Sequence, residues 1–202
     1  MDDSEMAVRR RGRPRAFDEG TVRKALMHAF WRDGYARTSM ARLVDATGLS
    51  TSSLYQGFGS KVDLFRVAFD RYVEVIGGQS WRMLADGDAG LADLETYFDV
   101  LATVLDQDPR AGCLAVNALL ELRDPPPAIA EMIALYRREL DEGIHAVLRR
   151  AARLGEIPDD EVEPLATTLV PLVVAYLTIA GSGAPDQDAR AVLSAARRMA
   201  HL

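Results

Sequence analysis

The chain has 202 residues, of which 49% are apolar and 27% are charged, and this composition resembles that of an average soluble globular protein. It excludes a disordered chain and a collagen-like chain, and the single cysteine, Cys113, excludes a disulfide-dense secreted scaffold. The net charge is −6, but residues 1–66 hold 12 Lys and Arg against 8 Asp and Glu. A basic N-terminal segment therefore precedes an acidic remainder, and we expect that segment to meet a polyanion.

The predicted location is the cytoplasm. The first residues are charged and lack the apolar core of a signal peptide. The longest apolar stretch, residues 165–180, contains Pro171 and is short for a membrane span. We therefore expect a soluble protein with no membrane partner.

The predicted fold is all-α, because strand-like alternation is absent and good helix formers dominate. Residues 1–16 are expected to form a basic, flexible arm. Asp18 is expected to cap a first helix that Gly34 ends, and Ser60 is expected to cap a fourth helix from Lys61. Thr38 or Ser39 should cap a short second helix, and the third helix should cover residues 50–56.

The rest of the chain also predicts helices. Gly77 and Gly78 interrupt the fourth helix, and such a pair favours a kink or hinge. Pro171 is expected to bend the helix that contains it. The remaining predicted helices cover residues 90–106, 110–122, 127–154, 159–181 and 187–200.

Residues 38–56 have the pattern of a helix-turn-helix. Two short helices flank a turn of sequence TGLS at residues 47–50, and apolar residues such as Leu43 and Leu54 hold them together. The second of these helices opens with hydroxyl residues at 50–53, which either only cap the helix or also place donors in a major groove.

The arm before this motif holds five arginines, which are Arg9, Arg10, Arg11, Arg13 and Arg15. A run of this kind is often a solvated tail or a localisation signal. Its glycine and proline also favour an extended arm that could lie in a minor groove.

Residues 30–72 resemble the N-terminal part of TetR-family transcriptional regulators. The resemblance rests on Gly34-Tyr35, Thr38-Ser39, the ATGLS run at 46–50, Leu54-Tyr55, Phe58 and Lys61-x-x-Leu64-Phe65. Gly112-Cys113-Leu114, with Asn117 and Glu121-Leu122, resembles the subgroup near AcrR- and ComR-like regulators. The family implies a three-helix helix-turn-helix head over residues 17–62 and a helical effector-binding and dimerisation body over residues 63–202.

The resemblance also implies roles for individual residues in binding an operator in double-stranded DNA. Thr38, Tyr55 and Lys61 match positions that contact phosphates or, for Tyr55, a base edge. Gly57 departs from the larger polar residue that many members carry. The readers on the recognition helix are expected to be Ser50, Thr51, Ser52, Ser53 and Gln56.

No enzyme signature is present in the sequence. The three histidines are scattered, no Cys/His spacing fits a metal, and no phosphate loop or nucleophile elbow occurs. We therefore expect neither catalysis nor a cofactor, and an enzyme or carrier that uses the body remains only a rival hypothesis.

The body is expected to bind an unknown small-molecule effector. Cys113, Asn117 and Glu121 recur at helical spacing on an otherwise apolar helix, which suits a pocket that orients a ligand. The same stripe could be a solvated edge or a tie between helices, and Cys113 could be a sensor thiol or a small buried residue. Further pocket candidates, each of which could instead be plain core or surface, are Trp81, Tyr97, Phe98, Tyr136, His145 and Tyr176.

The last two helices carry the predicted homodimer interface, although an internal core of one body is the alternative. The expected interface residues are Leu165, Leu169, Leu172, Val173, Tyr176, Leu177, Val192, Leu193, Ala196 and Met199. Together these patterns predict a ligand-responsive repressor that binds a palindromic operator as a dimer. A DNA-binding regulator without a small ligand is the other hypothesis.

Overall fold

A computed structural model describes residues 17–77, 83–107 and 112–200. Within these ranges all regular structure is helical, so the all-α prediction is confirmed. The five arm arginines, Gly78 and Trp81 lie outside the described residues.

The helices follow one another through short connections. The N-terminal four are α1 (Glu19–Asp33), α2 (Met40–Thr47), α3 (Thr51–Phe58) and α4 (Lys61–Tyr72), and α4 continues as a π-helical turn, Val73–Gly77. The later ones are α5 (residues 83–86), α6 (Leu91–Gln107), α7 (Leu114–Glu121), α8 (Pro127–Arg153), a 3-10 turn (Asp159–Glu161), α9 (Val162–Ser182) and α10 (Asp186–Met199).

The starts of the first four helices are set by side-chain caps. Asp18, Ser39 and Ser50 each accept a hydrogen bond from a backbone N–H in the first turn of the following helix. At α4, Ser60 and Asp63 form a reciprocal capping box. Each cap contributes about 1 kcal/mol to stability, which explains why short helices such as α2 and α3 form where the sequence predicts them.

The head, defined as α1, α2, α3 and the first turn of α4, encloses its own apolar core. Leu26, Phe30, Leu43, Leu54 and Phe65 are completely buried. The rings of Phe30 and Phe65 meet edge to face with centroids 5.2 Å apart, a favourable geometry for aromatic rings. The position of α3 is therefore fixed by side chains that point away from its outer surface.

The body, defined as α5 to α10, is organised around α8 and α9. These two helices pack against each other, α10 packs against α9, and α6 lies against both α8 and α10. The completely buried apolar residues of α8 are Ile129, Leu140, Ile144, Val147, Leu148 and Ala151. Head and body also meet directly, since the Trp31 indole N–H donates to the Gly112 carbonyl at 3.2 Å.

Two expectations about helix geometry need correction or refinement. The helix predicted over residues 110–122 begins only at Leu114, because Gly112 has φ +53° and passes so close to α9 that a Cβ would lie 2.6 Å from Gly181 Cα. The break expected after α4 is a π-helical turn that ends at Gly77, and such turns mark a local widening of the helix.

Candidate DNA-binding helix and head–body cleft

The outer face of α3 is open to solvent. Thr51, Ser52, Tyr55 and Gln56 are exposed, Tyr55 by 48%, whereas Leu54 on the inner face is completely buried. A short helix pinned by one face and displaying hydroxyl, phenol and amide groups on the other can present those groups to base edges.

Ser50 and Ser53 lie at the start of the same helix. The Ser50 hydroxyl caps α3, and it lies 3.0 Å from the Ser52 hydroxyl and 2.9 Å from the Ser53 hydroxyl. Ser50 is exposed and Ser53 is partly buried. Capping therefore accounts for Ser50 and Ser53 structurally, and their contact with DNA stays a prediction.

The structure corrects the role expected for Thr38. Its side chain is completely buried, and its hydroxyl donates to the Gly34 carbonyl at 2.5 Å. The capping position belongs to the exposed neighbour Ser39. A hydroxyl that is enclosed and already engaged with the end of α1 cannot also meet a phosphate, so Thr38 stabilises the turn between α1 and α2.

Lys61 sits at the N-terminus of α4, beside α3. Its ammonium lies 4.5 Å from the centre of the Tyr35 ring, a cation–π contact. Partial burial lowers the pKa of Lys61, while attraction to Glu121 of the body raises it. A cation at a helix N-terminus is well placed to contact a phosphate. The Lys61 ammonium also interacts electrostatically with Glu121 of the body.

A cleft of about 400 Å³ separates the end of α1 from α7 and the end of α9. Asn117 and Glu121, two of the three residues of the predicted polar stripe, lie in its wall on the body side. On the head side the wall includes Trp31, Arg32 and Arg37. The structure therefore brings part of the stripe to a cavity, but at the junction of head and body and not inside the body.

Cys113 lies elsewhere, in the buried core. Its thiol is fully enclosed and hydrogen-bonds with the Tyr72 and Tyr136 hydroxyls, and burial raises its pKa. The i, i+4, i+8 spacing predicted that Cys113 shares a helical face with Asn117 and Glu121. It does not, because Cys113 precedes α7 in an extended conformation. The interpretation of Cys113 as a small buried residue is the one that fits.

The aromatic pocket candidates of the body are core residues. Tyr97, Phe98, Tyr136 and Tyr176 are all buried, and the Tyr176 hydroxyl donates to the Leu101 carbonyl at 2.6 Å. Tyr176 also borders a small cavity of about 210 Å³ with Arg190 and Arg197. Burial raises the pKa values of Tyr97 and Tyr136, which keeps both phenols protonated.

His145 does not line the cleft. Its Nδ1 lies 2.8 Å from the Asp141 carbonyl oxygen, and its Nε2 lies 3.2 Å from Glu163 Oε2. The imidazole therefore ties α8 to α9 and lies outside the cleft, which favours the alternative of a surface histidine.

Most residues predicted for the dimer interface are internal. Seven of them are buried within the chain because α9 and α10 turn these sides toward each other and toward the rest of the body: Leu165, Leu169, Val173, Tyr176, Leu177, Leu193 and Ala196. Leu172 and Val192 are partly buried, and Met199 is 41% exposed. The alternative of an internal core is correct for the seven.

A different face of the same two helices is partly open. Along α9 it carries Pro171, which is exposed, and Ala175 and Ile179, which are partly buried; along α10 it carries Ala191 and Met199, which are exposed, and Ala195, which is partly buried. Both sets recur every four residues, so each forms a stripe along one side of its helix. This apolar face is called the α9–α10 face below. Of its six residues only Met199 was predicted for the interface, because burial inside one subunit and burial between subunits have the same sequence pattern.

The described part of the chain contains no group of three or more His, Cys, Asp or Glu side chains that could hold a metal ion. The segment Asp159–Ser182 is long and apolar enough to cross a membrane by length and composition. It nevertheless packs between α8 and α10, as the core helix of a globular protein does.

Comparisons with known proteins agree for both halves of the chain. The family profile "Bacterial regulatory proteins, tetR family" matches residues 22–68, and "Tetracyclin repressor-like, C-terminal domain" matches residues 90–195. The transcriptional repressor ComR of Escherichia coli is 31% identical over 78% of this chain and 76% of its own. The uncharacterized regulator YezE of Bacillus subtilis is 27% identical over 78% of this chain and 83% of its own.

Solved structures give the same result. A cysteine mutant of the TetR-family regulator CifR, complexed with a 26-base-pair operator, matches with a TM-score of 0.78, 29% identity and coverage of 92% of this chain and 98% of that one. These relatives are regulators and not enzymes, in agreement with the absence of an enzyme signature in the sequence. The chain belongs to the TetR family of transcriptional regulators, which bind operator DNA through a helix-turn-helix head.

Proposed function

We propose that the protein is a ligand-responsive repressor that acts in the cytoplasm and binds a palindromic operator as a homodimer. Two relatives, ComR and BdcR of Escherichia coli, are named transcriptional repressors. The proposed division is an arm over residues 1–16, a DNA-binding domain over residues 17–62 and an effector-binding and dimerisation domain over residues 63–202.

The observation that carries this proposal is the outer face of α3. Thr51, Ser52 and Gln56 are free to meet base edges, while Tyr55 and Lys61 stand where they can meet phosphates. Short hydroxyl side chains give few bidentate base contacts, so phosphate contacts and the arm arginines supply much of the affinity.

The α9–α10 face supports homodimerisation. Two apolar stripes on adjacent helices are partly open to solvent in one subunit, and a second copy would offer a self-complementary surface that covers them. Two helices from each subunit would then form a four-helix interface. Such a dimer holds two α3 helices at a fixed separation, and about 34 Å is required for successive major grooves on one side of DNA.

Responsiveness to a ligand is supported by the cleft between head and body. A molecule that binds there touches both parts and prefers one arrangement of them. It therefore shifts the population of dimers whose α3 helices fit the operator.

The test is selection of operator sequences from randomised duplexes with the purified full chain. The proposal expects an enriched inverted repeat, and it expects Gln56→Ala to change the base preference within each half-site. Glu142→Gln, which alters an exposed charge on α8, is the control and should leave the selected sequence unchanged. Enrichment of no sequence, or of a single unrepeated half-site, would contradict the proposal.

A further inference from the structure

We propose that the cleft between head and body is a binding site for a small zwitterion, a molecule that carries both a cationic nitrogen and a carboxylate. This inference rests on the proposed function for its regulatory consequence, although not for the binding itself. The cleft is lined by charged groups of both signs, by amide and hydroxyl groups and by two apolar side chains.

Glu121 supplies the position for the cationic end. Its carboxylate is in the wall of the cleft, and Oε2 is buried without a hydrogen-bond partner among the described residues. A buried carboxylate oxygen without a donor is costly. A ligand ammonium group in the cleft would bring a further compensating charge to this carboxylate, which the ammonium of Lys61 already reaches electrostatically.

The head supplies the position for the anionic end. Arg32 and Arg37 are exposed and lie in the wall opposite Glu121. The adjoining groove adds Arg42, whose Nε already bonds Asp33 at 2.7 Å. The guanidinium group is well suited to a carboxylate, so opposite ends of one ligand would engage opposite walls.

The middle of the cleft suits a short organic chain. Trp31 is buried, with its indole N–H engaged with the Gly112 carbonyl, and contributes a small apolar area to the wall, whereas Leu120 is 59% exposed. Asn117 and Thr178 add polar groups near the end of α9. A volume of about 400 Å³ lies at the small end of the usual range for ligand sites, which leaves ample room for a molecule of the size of an amino acid.

A ligand held in this way would couple to DNA binding. It contacts α1 of the head together with α7 and α9 of the body, so its affinity depends on the angle between them. Operator DNA also constrains that angle, and the coupling between the two ligands must be reciprocal.

The experiment measures binding to the full-length protein without DNA. The probes are the standard α-amino acids, β-alanine and γ-aminobutyrate at millimolar concentration, detected by isothermal calorimetry and by the shift in melting temperature. For each probe that binds, the N-acetyl derivative lacks the cation and the amide derivative lacks the anion. We expect at least one probe to bind, and each derivative to bind about tenfold more weakly or worse.

Variants assign the two ends of the ligand. Glu121→Gln should lower the affinity for the probe about tenfold or more, and this variant should no longer prefer the probe to its N-acetyl derivative. Arg32→Gln should no longer prefer the probe to its amide derivative. Arg32 is exposed, so its variant should fold even if Glu121→Gln does not. Glu142→Gln is the charge-matched control and should bind the probe as the wild type does.

The outcomes separate this inference from the proposed function. Absence of binding by every probe, or equal binding to the wild type and both cleft variants, would overturn the zwitterion site while selected operator DNA still binds. If a probe binds with the expected pattern but no operator can be selected, the site stands and the proposed function fails. A probe that binds but leaves operator affinity unchanged overturns the coupling.

Discussion

The carboxylate of Glu121, at the end of α7, lies directly against Gly34, at the end of α1. A Cβ on Gly34 would fall 2.7 Å from Glu121 Oε2 and 2.9 Å from Oε1. Gly34 also has φ +78°, a conformation that disfavours side chains. One glycine therefore both ends the first helix of the head and allows an acidic group of the body to approach it.

Gly34→Ala should destabilise the protein more than its backbone conformation alone explains. Gly155 has a similar φ of +74° and no atom within 4 Å of an added Cβ, so Gly155→Ala gives a reference cost of about 1–2 kcal/mol; Gly34, with ψ 168°, adds a backbone cost of its own, so the Glu121→Ala background isolates the contact. Gly34→Ala should lower the free energy of unfolding, measured with urea, by more than Gly155→Ala does. This difference should be smaller when Glu121→Ala is also present. Equal costs for the two glycine variants would show that Glu121 does not press on Gly34.

Glu121→Gln should tighten operator binding in the absence of any ligand. Burial lowers the pKa of Lys61, and the negative charge of Glu121 partly opposes that shift; the same charge competes with DNA phosphates for the ammonium and repels them. We expect a severalfold gain at low salt that fades as ionic strength increases. Fluorescence anisotropy with a selected operator measures it. A gain of the same size for Glu142→Gln would assign the effect to net charge alone.

Substitutions on and beside α3 should divide into two groups. Thr51→Ala and Gln56→Ala should change which bases are preferred, because both side chains lie on the outer face. Lys61→Ala should lower the affinity for all DNA sequences similarly. It should also reduce the steepness of the plot of log affinity against log salt concentration by about 0.9. Binding measurements on the selected operator, on single-base variants and on unrelated duplexes distinguish the groups. A Lys61→Ala variant that alters base preference would contradict this division.

Thr38→Val should affect folding and not DNA recognition. The substitution keeps the shape but leaves the Gly34 carbonyl without the donor that Thr38 provides, at a cost of about 1–2 kcal/mol in unfolding free energy. Operator affinity, measured where the variant is fully folded, should match that of the wild type. An equal loss of affinity for all DNA sequences, with an unchanged free energy of unfolding, would instead show that Thr38 contacts a phosphate.

Cys113 should be unreactive in the native protein. Burial raises the pKa of its thiol, so the thiolate that reacts with a thiol reagent is scarce at neutral pH. Labelling should therefore be slow and should accelerate with denaturant in parallel with unfolding. Rapid labelling of the folded protein that also abolishes operator binding would instead identify a sensor thiol.

The head could be predicted from sequence in detail because its structure is local. Caps such as Ser50 and Ser60 and the stop at Gly34 act over a few residues, and their positions are readable from residue type. Thr38 was misassigned because its burial depends on how α1 and α2 meet, which the pattern of the short helices does not contain.

The body could be predicted only as a set of helices. Asn117 and Glu121 were identified as a polar stripe, but the cavity they reach is formed with Arg32 and Arg37, more than 70 residues earlier in the chain. Likewise the stripes at Pro171 and Ala191 are defined by what the rest of the body leaves uncovered. Such features depend on tertiary packing, which helical periodicity does not specify.

The most direct test of the central claim, that α3 helices of a homodimer read an inverted repeat, is native mass spectrometry with the selected operator. The account predicts that protein chains occupy the intact repeat in pairs and that scrambling one half-site abolishes specific binding. Met199→Glu, on the α9–α10 face, should reduce pairing and operator affinity together. A single chain bound per duplex, with equal affinity for the intact repeat and for one half-site, would contradict the account.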